Sequence, residues 1–237
     1  MSSLKYILFD AGGTLLGTNT DVEHWYEQFF VDACAAEGHP VTLEHVRESL
    51  HRATAAYKSD RWCSSPDTVR SFWQLVYGSV FRDLVPGCDP EYLATHYIDR
   101  FESGEFIRLF DDTLPALEAV RAMGVKAGIV SNFGTYLEVF LDKTGIASFF
   151  DVVLISAAEG CEKPHPEIFD RALECVGLPA SEIMFIGDSL RDDYEASVRH
   201  GFFGVLLDRY DRYAHMADVR RVRSLTEIPK FLNGYLG

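Results

Sequence analysis

Between about residue 110 and residue 207 the sequence alternates helix-like and strand-like stretches, and a glycine closes each helical one. Helical periodicity over 114–123, 135–144, 167–176 and 192–200 stops at Gly124, Gly145, Gly177 and Gly201. Short apolar runs stand between and after them at 125–130, 152–155, 183–186 and 205–207. Glycine just past a helix supplies the left-handed conformation that ends it. Strands joined through helices in this way form right-handed βαβ crossovers and a parallel sheet. Residues 6–9, Tyr-Ile-Leu-Phe, make a further apolar run of the kind buried on both faces of such a sheet. The pattern therefore predicts an α/β protein, with a parallel sheet covered by helices on both faces.

Strand texture is missing from 17 to 108. The spacing predicts helices over 21–38, 42–57, 66–81 and 89–101, with Trp25, Phe29, Phe30 and Ala33 on one stripe of the first. Thr42 opens the second, and Asp89-Pro90 opens the fourth as an N-cap followed by proline at the first helical position. Such a stretch between a first strand and a later α/β series reads as an inserted α-helical bundle. We thus expect a core of residues 1–16 and 109–237 and a bundle of residues 17–108. Near the end, Ser224-Leu-Thr-Glu227 is a capping box ahead of a short helix holding Phe231 and Leu232.

A formal net charge of −14 and a pI near 4.9 argue against nucleic-acid and anionic-membrane partners. An anionic substrate needs a locally positive pocket, so the position of each lysine carries information. The cysteines (Cys34, Cys63, Cys88, Cys161 and Cys175) show no CxxC spacing and read as reduced thiols. The first strand follows Met1 almost at once and no apolar run reaches membrane-span length, so we expect a cytoplasmic protein, monomeric or homodimeric.

In open α/β sheets ligands bind beyond the carboxyl ends of the strands. Four polar clusters fall there. Run 6–9 ends in Asp10-Ala-Gly12-Gly13-Thr14, and run 125–130 ends in Ser131-Asn132. Run 183–186 ends in Gly187-Asp188, with Asp192 and Asp193 close behind, and the stretch after 152–155 carries Lys163-Pro164. The glycines after Asp10 let the backbone lie close to a bound group, and Thr14 offers a hydroxyl on the substrate side. Several carboxylates with few other ligands suit Mg²⁺, which keeps waters and a substrate phosphate. Ser131, Asn132 and Lys163 would then bind phosphoryl oxygens, with Lys163 neutralising charge that develops in transfer.

These four ordered segments resemble the motifs of the haloacid dehalogenase-like hydrolase superfamily, and the resemblance spans the whole chain. It implies a Rossmann-like core with an inserted α-helical cap, Mg²⁺ as cofactor and a small phosphorylated or otherwise anionic substrate. It implies that Asp10 is the nucleophile that forms an aspartyl-phosphate. The metal set implied is Asp10, the Gly12 carbonyl, Asp188 and either Asp193 or Asp192, with Asp193 preferred because Gly201 follows at the usual spacing. Ser131 and Lys163 are similar to the family's phosphate binders.

One position departs from the family pattern. Its phosphatases usually carry a second aspartate two residues after the nucleophile, as general acid and base; here Gly12 stands there. That function is typically worth about a hundred- to ten-thousand-fold in rate. His24, His51 and Tyr57 are candidate substitutes. The resemblance therefore implies a slow Mg²⁺-dependent phosphatase. The alternatives are a 2-haloacid dehalogenase, a phosphonoacetaldehyde-type hydrolase using Lys58 as a Schiff base, or a phosphate-binding homologue with impaired catalysis. Trp25, Trp62 and Trp73 could line the bundle face turned toward the core, but aromatics at helical spacing are more often bundle core and none is assigned; His165, between two prolines, reads as structural.

Overall fold

The structure, a computed structural model, describes residues 4–18 and 23–233. Strand β1 (Tyr6–Phe9) leads into β2 (Leu16–Gly17), and four helices follow: α1 (Trp25–Ala36), α2 (Leu43–Tyr57), α3 (Pro66–Leu84) and α4 (Pro90–Glu102). The chain returns through β3 (Arg108–Leu109) to α5 (Thr113–Ala122), β4 (Lys126–Ser131), α6 (Leu137–Thr144), β5 (Phe150–Ile155) and α7 (Ser156–Glu159). Then come α8 (Pro166–Val176), β6 (Ile183–Gly187), α9 (Ala196–Arg199), β7 (Phe203–Leu207), β8 (Arg221–Val222) and α10 (Ile228–Asn233).

A six-stranded sheet runs β5-β4-β1-β6-β7-β8, with every pairing parallel. β1 lies between β4 and β6, and all of its residues are buried. Successive side chains point to opposite faces of a strand. Ile7 and Phe9 accordingly pack with Leu117 and Val120 of α5, Phe140 of α6 and Ile228 of α10. Tyr6 and Leu8 pack on the other face with Ile168 and Phe169 of α8. The α/β class is as the sequence pattern implied, down to the helices on both faces.

Helices α1–α4 hold a separate apolar cluster that includes Phe29, Phe30, Val76, Tyr77, Phe81 and Tyr97. Their starts are fixed locally. Thr42 accepts the His45 N–H, Ser65 with Thr68 forms a capping box before Pro66, and Asp89 accepts from Glu91 and Tyr92. The chain leaves for the bundle and returns from it through β2 and β3, which pair antiparallel, Leu16 opposite Leu109.

Three features differ from expectation. The stretch 192–200 is not one α-helix: a widened π-type turn over Leu190–Glu195 precedes α9. The first helix begins at Trp25 and not near Asp21, which lies outside the described residues. The two-residue strands β2, β3 and β8 are too short to leave a periodic signal.

Candidate active site

β1, β4 and β6 are adjacent, so their carboxyl ends bring Asp10, Ser131 and Asp188 to one rim of the sheet. Asp10 Oδ1 accepts from Ser131 Oγ at 2.9 Å and from Lys163 Nζ at 2.7 Å. The same ammonium donates to Asp193 Oδ1 at 2.6 Å. Asp193 Oδ2 accepts the Ser189 N–H at 2.9 Å, which ties the π-type turn back to the end of β6. Oxygens of Asp10, Asp188 and Asp193 lie within 4.8 Å of one another.

Two glycines make this crowding possible. A Cβ on Gly13, which also sits at φ +78°, would lie 2.6 Å from Asp188 Oδ2. A Cβ on Gly187 would lie 2.3 Å from Asp193 Cγ. Both distances are far inside van der Waals contact, so neither position admits a side chain without moving a carboxylate.

Three carboxylates face one ammonium. Burial alone would lower the Lys163 pKa, but Asp10 and Asp193 outweigh it and hold the ammonium well above its ordinary range. Asp188 is raised far above the usual carboxylate range, first by loss of water and then by Asp10 and Asp193, although its carboxyl still opens to the cavity. Burial, opposed by Lys163, also raises Asp193. A cluster of hard oxygens whose charges repel until neutralised fits a divalent cation such as Mg²⁺.

Asn132 uses its whole amide on the main chain of Lys163. Nδ2 donates to the Lys163 carbonyl at 2.7 Å, and Oδ1 accepts the Lys163 N–H at 2.8 Å. Expected to meet phosphoryl oxygens, Asn132 lines the cavity above the rim and also fixes the peptide that carries the lysine. Thr14, expected on the substrate side, is fully buried with its hydroxyl unpartnered, and it is absent from the described cavity wall.

Above these groups lies a cavity of about 340 Å³ that reaches from Asp10, Gly12 and Lys163 into the helical bundle. Trp25, Trp62 and Trp73, left unassigned between bundle core and site wall, all line it, along with Tyr26, Phe133 and Tyr136. Helical spacing shows which residues share a stripe but not that this stripe faces a hollow. Phe133 crowds the space that a side chain at position 12 would enter, its Cε2 being 3.3 Å from an ideal Cβ there, so the ring would have to give way slightly. Asp192 lines the same cavity. His24, His51, Tyr57 and Lys58 are not among its described lining residues. His24 pairs with Glu27 at 3.5 Å, His51 borders a separate groove, Tyr57 is exposed, and Lys58 lies over the Trp62 ring at 5.7 Å.

The turn between α2 and α3 clasps the loop that carries Lys163. The Cys63 N–H donates to Glu162 Oε2 at 2.6 Å, Ser156 Oγ meets the Cys63 thiol at 3.2 Å, and Arg61 pairs with Glu167 at 2.7 Å. His165 joins the same clasp through Asp60 at 3.0 Å. Sequence reasoning missed Glu162, Cys63 and Phe133, because no local pattern marks contacts such as Cys63 to Glu162, 99 positions apart.

A model of the haloacid dehalogenase-like hydrolase family matches residues 4–201. The chain belongs to this family. The enzyme is thus a hydrolase on the Rossmann-like fold the sequence implied. It is 33% identical over 165 residues to haloacid dehalogenase-like hydrolase domain-containing protein 3 of Danio rerio, covering 66% of this chain and 68% of that protein. It is 31% identical over 149 residues to a glyceraldehyde 3-phosphate phosphatase of Methanocaldococcus jannaschii, covering 60% of this chain and 64% of that protein. Among solved structures it resembles a haloacid dehalogenase-like phosphatase from Thermococcus onnurineus, with a TM-score of 0.64, 26% identity and 99% of each chain covered. No described helix of this hydrolase is long and apolar enough to cross a membrane.

Proposed function

We propose that this hydrolase is a Mg²⁺-dependent phosphatase acting on a small phosphorylated metabolite in the cytoplasm. The observation that carries the reading is Asp10: a nearly buried carboxylate at the cavity floor, aimed by Ser131 and Lys163 and crowded by Asp188 and Asp193. The phosphatase name of the Methanocaldococcus relative supports it. In this reading the bundle α1–α4 acts as a cap that excludes water from the site.

Asp10 attacks phosphorus in line, its carboxylate oxygen forming a new P–O bond while the ester bond breaks. Ser131 and Lys163 bind the phosphoryl oxygens, and Lys163 offsets charge that develops on them. Asp10, the Gly12 carbonyl, Asp188 and Asp193 hold the cation, which when bound neutralises the carboxylates against an incoming dianion. Asn132 acts through Lys163, by fixing its main chain. Water then hydrolyses the aspartyl-phosphate, releasing phosphate and restoring the Asp10 carboxylate.

The test is a panel of phosphomonoesters assayed for phosphate release with Mg²⁺ and with EDTA. Turnover is expected with Mg²⁺ alone and is expected to vanish in Asp10→Asn. No release on any ester, or an Asp10→Asn variant as active as wild type, overturns the reading.

A further inference from the structure

Two features of the cavity bear on what leaves from phosphorus, and each is independent of the other. The first is Phe133. The position from which a second aspartate would deliver a proton is Gly12, and an aromatic ring occupies the space beside it. The buried phenols nearby are poor replacements, since burial holds Tyr26 and Tyr136 well above the ordinary tyrosine range. With no donor at position 12 and these phenols unsuited to the task, the leaving oxygen departs as an anion in this proposal. A phenolate, whose conjugate acid titrates near about 10, does so far more readily than an alkoxide, whose acid resembles water at about 15.7.

The second feature is the wall. Beyond the catalytic rim it is built from Trp25, Tyr26, Trp62, Trp73, Phe133 and Tyr136, and such rings stack on flat partners. Lys163 is the one cation among the described lining residues, and Asp10 and Asp193 already engage it. The bundle's charged contribution is Glu102, held by Arg70. A second anionic group on the substrate would find no further cation among the described lining residues. At about 340 Å³ the cavity lies toward the small end of ligand pockets, enough for one phosphoryl group and a compact ring system.

We propose that the substrate is an aryl phosphomonoester: a single phosphate on a phenolic oxygen of a flat, uncharged ring. The proposal rests on the phosphatase reading and adds the leaving group to it. The Asp10 oxygen bonds to phosphorus as the P–O(aryl) bond breaks, and the electron pair leaves on the aryl oxygen. Hydrolysis of the aspartyl-phosphate by water yields hydrogen phosphate and one proton, which the departed phenolate takes up.

The experiment compares three substrates with Mg²⁺. Phenyl phosphate has the ring and a good leaving group, benzyl phosphate has the ring and an alkoxide leaving group, and acetyl phosphate has a good leaving group and no ring. Phenyl phosphate is expected to exceed benzyl phosphate in kcat/KM by about a thousandfold or more. Gly12→Asp should narrow the phenyl-to-benzyl ratio of kcat/KM about a hundredfold, the ratio being read whatever the variant does to each rate alone. The double variant Gly12→Asp/Phe133→Leu gives the new carboxyl room if the single one folds poorly. Trp73→Ala should raise KM for phenyl phosphate about tenfold more than it raises KM for acetyl phosphate.

A proton donor elsewhere on the wall, Asp192 or Glu102 included, would bring benzyl phosphate within about tenfold of phenyl phosphate, and that result overturns the proposal. So does equal sensitivity of phenyl and acetyl phosphate to Trp73→Ala. Turnover of all three at equal rates removes this proposal and leaves the phosphatase reading standing. Turnover of none removes both.

Discussion

Lys163 balances the charge of the site, since its ammonium is the one cation set against Asp10, Asp188 and Asp193. Lys163→Met would leave buried carboxylates unpaired, a loss on the order of 3–5 kcal/mol for a broken buried pair. We expect a lower Tm by calorimetry, partly restored by Mg²⁺, and a kcat reduced about a hundredfold or more. The pH dependence has a definite sign. Folding raises the pKa values of Asp188 and Asp193 above their unfolded values of about 3.9. The folded state then holds more protons than the unfolded one, so this contribution to metal-free stability is present at low pH and is lost as pH rises through the elevated folded values. Melts in EDTA should show wild type losing stability relative to Asp188→Asn between about pH 4.5 and pH 8. A flat difference across that window would contradict the raised values.

At the scale of elements, strand ends and one wide turn set the geometry. The five strands β1, β4, β5, β6 and β7 are legible because each holds a short apolar run outside the helix-like stretches, and Asp10, Ser131 and Asp188 follow from the rule that ligands gather at carboxyl edges. Lys163 is legible as the one lysine among the polar clusters that follow the strand-like runs. Position 192–195 is not, because the π-type turn that delivers Asp193 to Lys163 is stabilised by Ser189 and Lys163, both outside the turn itself. Gly187 follows from that packing. Gly187→Ala would force Asp193 from its place, at a stability cost of about 1–3 kcal/mol, and should abolish phosphatase turnover while the far-ultraviolet circular dichroism stays native. The clasp between the two layers was equally invisible in sequence. Glu162→Ala strands the buried Cys63 N–H, a cost of about 1–3 kcal/mol. Because that turn carries Trp62 into the cavity, KM should rise more than kcat falls.

Over the whole molecule, a net charge of −14 surrounds a cavity that receives an anion if the proposed function holds. The chain's field opposes approach, and only the last few ångströms, near Lys163 and the cation, reverse it. Raising ionic strength from about 0.01 M to about 0.15 M shortens the screening length from about 30 Å to about 8 Å. For a dianionic ester kcat/KM should therefore rise over that interval, opposite to the behaviour of a basic phosphatase.

The tryptophans are three in number, and all of them stand around the cavity, leaving none elsewhere to give a background signal. Intrinsic emission excited at the indole band therefore reports from the binding space alone. An aromatic ester or its phenol entering that space would quench or shift the emission, and a stopped-flow trace would time entry and release without any attached dye.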